Sequence, residues 1–230
     1  RDLRMSRGLG DVYKRQECAK KWWKESEQAQ QFMKEHNLKD EEELQSYFIH
    51  YVGDVIAKKG KTTVGWNEIL EGGLAPDAVV MSWQGTSGGI TAAKSGHRVI
   101  MTPSGYSYYN NLQSRNQRQI THQGYLPLEK VYKYDIIPAE LTPEQASNII
   151  GAQACLWTEY FPTTGKVEMA LFPRLSALAE NVWSQPEKKD WERFLRKMPD
   201  QFERYDLWGA RFSEDFFRMY DLPYYDPTTR

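Results

Sequence analysis

Two cysteines in 230 residues, Cys18 and Cys155, are too few and too far apart for a disulfide framework. They offer no Cys-x-x-Cys half of a zinc site, so both are expected as thiols. No apolar run approaches the roughly 20 residues of a membrane helix. A basic surplus is missing as well, with 30 Lys and Arg against 31 Asp and Glu, which argues against nucleic acid as a partner. His36, His50 and His122 have no metal-ligand spacing, and no internal repeat or low-complexity segment breaks the chain. What is abundant is aromatic: eight tryptophans and fourteen tyrosines. That load suits a site gripping a flat, polar-rimmed ligand such as a sugar, and it equally suits an aromatic-rich core.

The first residues stand apart from the rest. Ser6 to Gln16 reads, residue for residue, as one frame of a transposase adapter used in shotgun DNA sequencing, with Asp11 to Gln16 as the transposon end. Residues 1–16 are therefore set aside as a non-natural, adapter-derived segment. The natural polypeptide is expected to begin at Glu17, cut from a longer gene, and to carry 25 basic and 29 acidic residues.

Beyond that junction the pattern predicts a charged helix over 17–37. A second helix follows with Asp40 as N-cap and acids in its first turn. In it Leu44, Tyr47, Phe48, Tyr51, Val55 and Ile56 recur at helical spacing, which predicts one buried stripe. Short apolar strands are expected at 62–66, 78–83, 98–101 and 149–156. Between them lie a short helix over 88–95, an aromatic loop over 102–126 and a capping-box helix start at Thr142-Pro143-Glu144-Gln145. Long helices are expected over 167–183 and 187–205, with Glu187 to Asp190 as a solvated helix start. A polar-aromatic tail, 208–230, has no assigned element. Strands alternating with helices predict a parallel sheet with helices outside it. Each run ends in a polar or aromatic cluster, as in a (β/α)₈ barrel with chemistry at the C-terminal strand ends. Four strands make half of one.

The runs VGWNEILEGGLAPDAVVMSWQG (Val64–Gly85), HRVIMTPSGYSYYNN (His97–Asn111), GYLPLEKVY (Gly124–Tyr132) and GAQACLWTEY (Gly151–Tyr160) resemble glycoside hydrolase family 20. The family comprises β-N-acetylhexosaminidases. The resemblance covers about residues 17–205 and implies the C-terminal half, strands 5–8, of a truncated (β/α)₈ TIM barrel, with the partial catalytic domain over 17–207. It implies hydrolysis of terminal β-linked GlcNAc or GalNAc, without metal or organic cofactor, on N-acetylhexosamine-containing oligosaccharides or glycoconjugates. The parent enzyme is expected in the periplasm or medium.

The resemblance also implies roles for individual residues. Glu17 aligns with the general acid of the family's His-x-Gly-Gly-Asp-Glu motif, and Gln16 stands where the adjacent aspartate belongs. In this chemistry the substrate's own 2-acetamido oxygen is the nucleophile. The glutamate protonates the leaving oxygen and then activates water. Tyr108 aligns with the tyrosine that holds the acetamido oxygen, with Tyr106 and Tyr109 as rivals in register. Trp66, Trp83 and Trp157 would wall the sugar pocket. Glu159 would bind hydroxyls, as would Asn110, which departs from the family's frequent aspartate. Asn67 and Glu68 are read as structural support, and His97 as distant from chemistry. The cut polypeptide itself is expected to be inactive. Rival readings are a non-catalytic glycan-binding barrel, a relative releasing a disaccharide as lacto-N-biosidases do, and a metal-dependent barrel hydrolase, for which no strand-end ligands are found.

Overall fold

The computed structural model describes residues 19–117 and 124–223, together with the backbone of residues 11–13. Gln16, Glu17 and Cys18 lie outside the described residues. The chain divides into two compact units, residues 1–101 with 137–151, and residues 102–136 with 152–230.

The first unit is built on a sheet in which β1 (Asp11–Tyr13), β2 (Thr63–Trp66), β3 (Val79–Ser82), β4 (Val99–Met101) and β5 (Ile149–Ala152) lie side by side in chain order. Parallel pairing sets Val64 opposite Val79 and Val80 opposite Val99. Every residue of β2 and β3 is buried, as expected of parallel strands covered on both faces. The α/β expectation is met, but with a fifth strand. Residues 11–13, excluded by the sequence reading, pair with Thr63, Val64 and Gly65. The physical reason is the edge of β2, whose unpaired N–H and C=O groups are a template for any extended segment. The strand expected over 149–156 stops at Ala152. Gly151 adopts φ +148°, a conformation side-chain-bearing residues rarely take, and ends the regular run.

The helices of this unit depart from expectation more sharply. The single helix predicted over 17–37 is two among the described residues, Lys21–Glu25 and Glu27–Glu35, because Ser26 turns extended and caps the second. Helix Glu41–Ala57 starts at Asp40, whose side chain accepts from the Glu43 N–H at 3.0 Å, as predicted. Its apolar stripe is not buried. Tyr51 is 62% exposed and Phe48 49%, while Gln45, Ser46, Ile49 and Gly53 face inward. The inward face is the one that fits closely. Ser46 donates to the Gly73 carbonyl at 3.0 Å, and Gly53 lies against Thr63 and Ala75.

The second unit is helical and aromatic. Its core joins Tyr109, Leu126, Leu128, Val131, Tyr132, Ala177 and Leu178 with Phe194, Met198, Phe202, Tyr205, Phe216 and Phe217. One helix was expected over 167–183, and two are found, Thr164–Leu171 and Arg174–Trp183. Pro173 divides them, since it lacks an N–H and forces the preceding residue out of helical conformation. The last long helix, Trp191–Leu207, begins at Asp190, which accepts from the Arg193 N–H at 2.9 Å. Lys189 is not solvated as predicted: its ammonium reaches the Tyr134 carbonyl and Asn181 with little exposure. Past Trp208, where the sequence offers no assigned element, the described chain forms one. A helix at Asp215–Met219 places Phe216 and Phe217 in the core.

Candidate functional site

In the first unit, the site candidates follow β2 and β3. Trp66 closes β2 and is buried, and the chain then winds into a 3₁₀ turn over Asn67–Leu70. That turn aims two side chains at the end of β3. Asn67 Oδ1 accepts from the backbone N–H of Trp83 at 3.0 Å and of Gln84 at 3.3 Å. Its Nδ2 donates to Gln84 Oε1 at 2.8 Å. Glu68, almost wholly buried, receives the Trp83 indole N–H on both carboxylate oxygens, at 2.8 and 3.0 Å. Both the backbone and the ring of Trp83 are therefore held. Gly88 is needed alongside, because a Cβ there would sit 2.8 Å from Asn67 Cβ. Asn67 and Glu68 do what supporting residues are expected to do.

In the second unit, a short helix over Ser104–Ser107 leads to Tyr108, which forms an isolated parallel bridge with Cys155. Tyr109 N–H donates to the Cys155 carbonyl, and Cys155 N–H to the Ser107 carbonyl, each at 2.8 Å. The bridge brings the Tyr108 ring to 6.1 Å from the Trp157 ring. The two rival tyrosines are engaged elsewhere. Tyr106 stacks on Tyr134 at 4.5 Å, and Tyr109 is fully buried with its hydroxyl donating to the Arg174 carbonyl at 3.1 Å. Burial pushes the Tyr109 phenol well above its ordinary value; Arg174 pulls the other way, and Cys155 adds to the rise.

Asn110 is only 3% exposed, yet its Oδ1 has no hydrogen-bond partner among the described residues. It lines a cavity of about 280 Å³ shared with Asn111, Gln117, Phe161, Lys166 and Arg174. A buried amide oxygen without a partner costs stability, so a cavity at its side is where a ligand hydroxyl would satisfy it. Glu159 is exposed on the segment after Trp157, and Trp157 itself is half-buried. Glu17 lies outside the described residues.

Arg174 is not among the candidates that the sequence offers. Its side chain is fully buried and holds the loop from which Tyr108 and Asn110 project. The one sequence signal is Pro173 just before it, which starts a new helix and turns its first residue inward. An arginine is otherwise expected at the surface.

The profile of glycosyl hydrolase family 20, catalytic domain, matches residues 15–186. A β-hexosaminidase of Porphyromonas gingivalis is 45% identical over 198 residues, covering 85% of this chain and 26% of its own length. A β-N-acetylhexosaminidase of Cellulomonas fimi is 29% identical, over 71% of this chain and 34% of its own. Among solved structures, the family 20 exo-β-N-acetylglucosaminidase of Vibrio harveyi in complex with N-acetylglucosamine superposes with a TM-score of 0.74 at 29% identity, over 83% of this chain and 30% of that one. The chitobiase of Flavobacterium johnsoniae gives 0.74 at 28% identity, over 89% and 30%. The chain thus spans about a quarter to a third of the length of these relatives. With three quarters of its residues inside the family profile, this chain belongs to glycosyl hydrolase family 20.

Proposed function

We propose that the chain supplies the C-terminal half of a (β/α)₈ barrel in an exo-acting β-N-acetylhexosaminidase working by substrate assistance. In the first step the 2-acetamido oxygen of the bound sugar attacks its own anomeric carbon as the glycosidic C–O bond breaks. Glu17 gives its proton to the leaving oxygen, and an oxazolinium ring forms. In the second step water adds to the anomeric carbon, the oxazolinium ring opens to restore the acetamide, and Glu17 takes up the water's proton. Two attacks at one carbon retain its configuration.

Tyr108 donates to the acetamido oxygen and keeps it in attack geometry. Trp66, Trp83 and Trp157 wall the sugar, whose apolar C–H face packs on aromatic rings. Asn110 and Glu159 bind hydroxyls. The aspartate that orients the acetamido N–H belongs at position 16, where Gln16 can hydrogen-bond but supplies no charge. Loss of such a preorganised charge costs on the order of a hundredfold or more in rate.

The observation that carries this reading is the bridge that sets Tyr108 against Trp157, two residues before a buried Asn110 whose amide oxygen has no partner among the described residues and which lines a cavity, in a chain matching the family profile. The 230-residue chain expressed alone is expected to release nothing from a chromogenic β-GlcNAc glycoside. The full-length protein, with the region upstream of Glu17 recovered from source DNA, should release the chromophore. There Glu17→Gln should lower turnover by about a hundredfold or more. Full activity in that variant, or no Asp codon before Glu17 in the intact gene, would overturn the assignment.

A further inference from the structure

Arg174 has no measurable exposure, and no carboxylate pairs with it among the described residues. Instead its five N–H donors all end on backbone carbonyls. Nη1 reaches Asn111 at 2.9 Å and Leu126 at 3.1 Å; Nη2 reaches Tyr109 and Ala170 at 2.5 Å each; Nε reaches Ala170 at 3.2 Å. The guanidinium also lies over the Tyr109 ring at 4.7 Å, and Tyr109 returns a hydrogen bond to the Arg174 carbonyl. An unpaired buried cation is costly, and an apolar side chain of similar volume would serve packing as well or better. The arrangement therefore needs a reason beyond stability.

Geometry supplies one. The Tyr109 and Asn111 carbonyls belong to the residues before and after Asn110, and both are pinned by one planar group. The Tyr109 N–H is pinned in turn by Cys155, which fixes the chain just after Tyr108. Between these anchors lies Asn110, buried and lining the cavity that Arg174 also lines. Lysine could not replace the clamp, since an ammonium is a point charge with three donors and no planar fork.

We propose that Arg174 is a positioning residue: through the Tyr109 and Asn111 carbonyls it sets the directions in which Asn110 and Tyr108 meet the sugar. The inference rests on the hexosaminidase reading above.

Two measurements test it. In the 230-residue chain, Arg174→Lys should speed amide hydrogen exchange at Tyr109, Leu112 and Leu126 by at least about tenfold. The helix around Phe194–Phe202 should keep its protection. Unchanged exchange at 109–126, or a uniform change throughout, would overturn the clamp. In the full-length enzyme, Arg174→Lys should lower kcat by about ten- to a hundredfold, and the same change made on top of Asn110→Ala should cost much less. Additive losses would mean that Arg174 acts through general stability, and would overturn the proposal. Should Arg174→Lys fail to fold, Tyr109→Phe removes only the returning hydrogen bond and should move both readouts the same way by a smaller factor. Unchanged readouts in Tyr109→Phe would then overturn the clamp. An unsubstituted full-length protein without activity would refute the hexosaminidase reading alone, and the exchange experiment would still decide the clamp.

Discussion

At the scale of single residues, the clearest construction is the grip of Glu68 on Trp83. A tryptophan at the end of a parallel strand has its indole N–H to satisfy, and here one carboxylate takes it with both oxygens. Glu68 is itself nearly buried, so removing it strands a buried donor as well as loosening a ring. Glu68→Ala should therefore lower stability by about 1–3 kcal/mol, measured by urea unfolding, and shift tryptophan emission toward longer wavelength. Glu68→Gln, which keeps an acceptor oxygen, should lose less. The tryptophans were legible in the sequence because each closes a short apolar run and opens a polar cluster. Arg174 was not, because a buried arginine is a rare arrangement and only tertiary contacts reveal it. Register within the tyrosine-rich loop was legible to within a residue or two. In the structure the three rings touch different groups: Tyr134 for Tyr106, Arg174 for Tyr109, Trp157 for Tyr108.

At the scale of elements, starts were easier to read than faces. The caps at Asp40 and Thr142 stand where the sequence places them, and Thr142 and Gln145 complete the reciprocal capping box. Caps are local chemistry, decided within four residues. Burial of a helix face is decided by what lies opposite, and periodicity alone chose the wrong side of Glu41–Ala57. The side that packs carries Ser46, Ile49 and Gly53, small or slim residues that allow close approach, and the larger rings are exposed. A pair of substitutions distinguishes the two faces. Ile49→Ala should cost about 2–4 kcal/mol, as expected for a buried aliphatic truncation. Tyr51→Ser should stay within about 0.5 kcal/mol of the parent. Equal effects in chemical unfolding, or the reverse order, would mean that the helix is rotated. Pro173 teaches the same lesson about breaks: the apolar pattern runs straight through 167–183, and a single imino acid divides it.

At the scale of the whole molecule, the aromatic load that hinted at a sugar site is used largely for packing in the second unit. That use has a pH signature. Burial pushes the phenol of Tyr205 up to about 12, with hydrogen bonds from Ser176 and Gln201 opposing it. Burial likewise pushes Tyr220 up to about 12, with the Glu129 backbone N–H opposing it, and raises Tyr109 and Tyr134. Each folded value stands above the ordinary value of 10.0, so the folded state resists ionisation. Below pH 10 that resistance costs nothing. As pH rises from 10 to 12 the unfolded chain releases phenolic protons that the folded chain keeps, and stability falls. Arg174 runs the other way, since burial lowers it to about 9 and its penalty eases as pH climbs toward 12.5. Four phenols against one guanidinium leave a net loss. Urea midpoints should therefore decline between pH 10 and 12. Tyr205→Phe should start lower at pH 7, by about 1 kcal/mol for its lost 2.6 Å hydrogen bond to Ser176, yet descend less steeply above pH 10. A variant that keeps the parent slope would show that Tyr205 ionises as freely in the folded chain as in the unfolded one. The tightly packed aromatic core would then not be the origin of the alkaline limit.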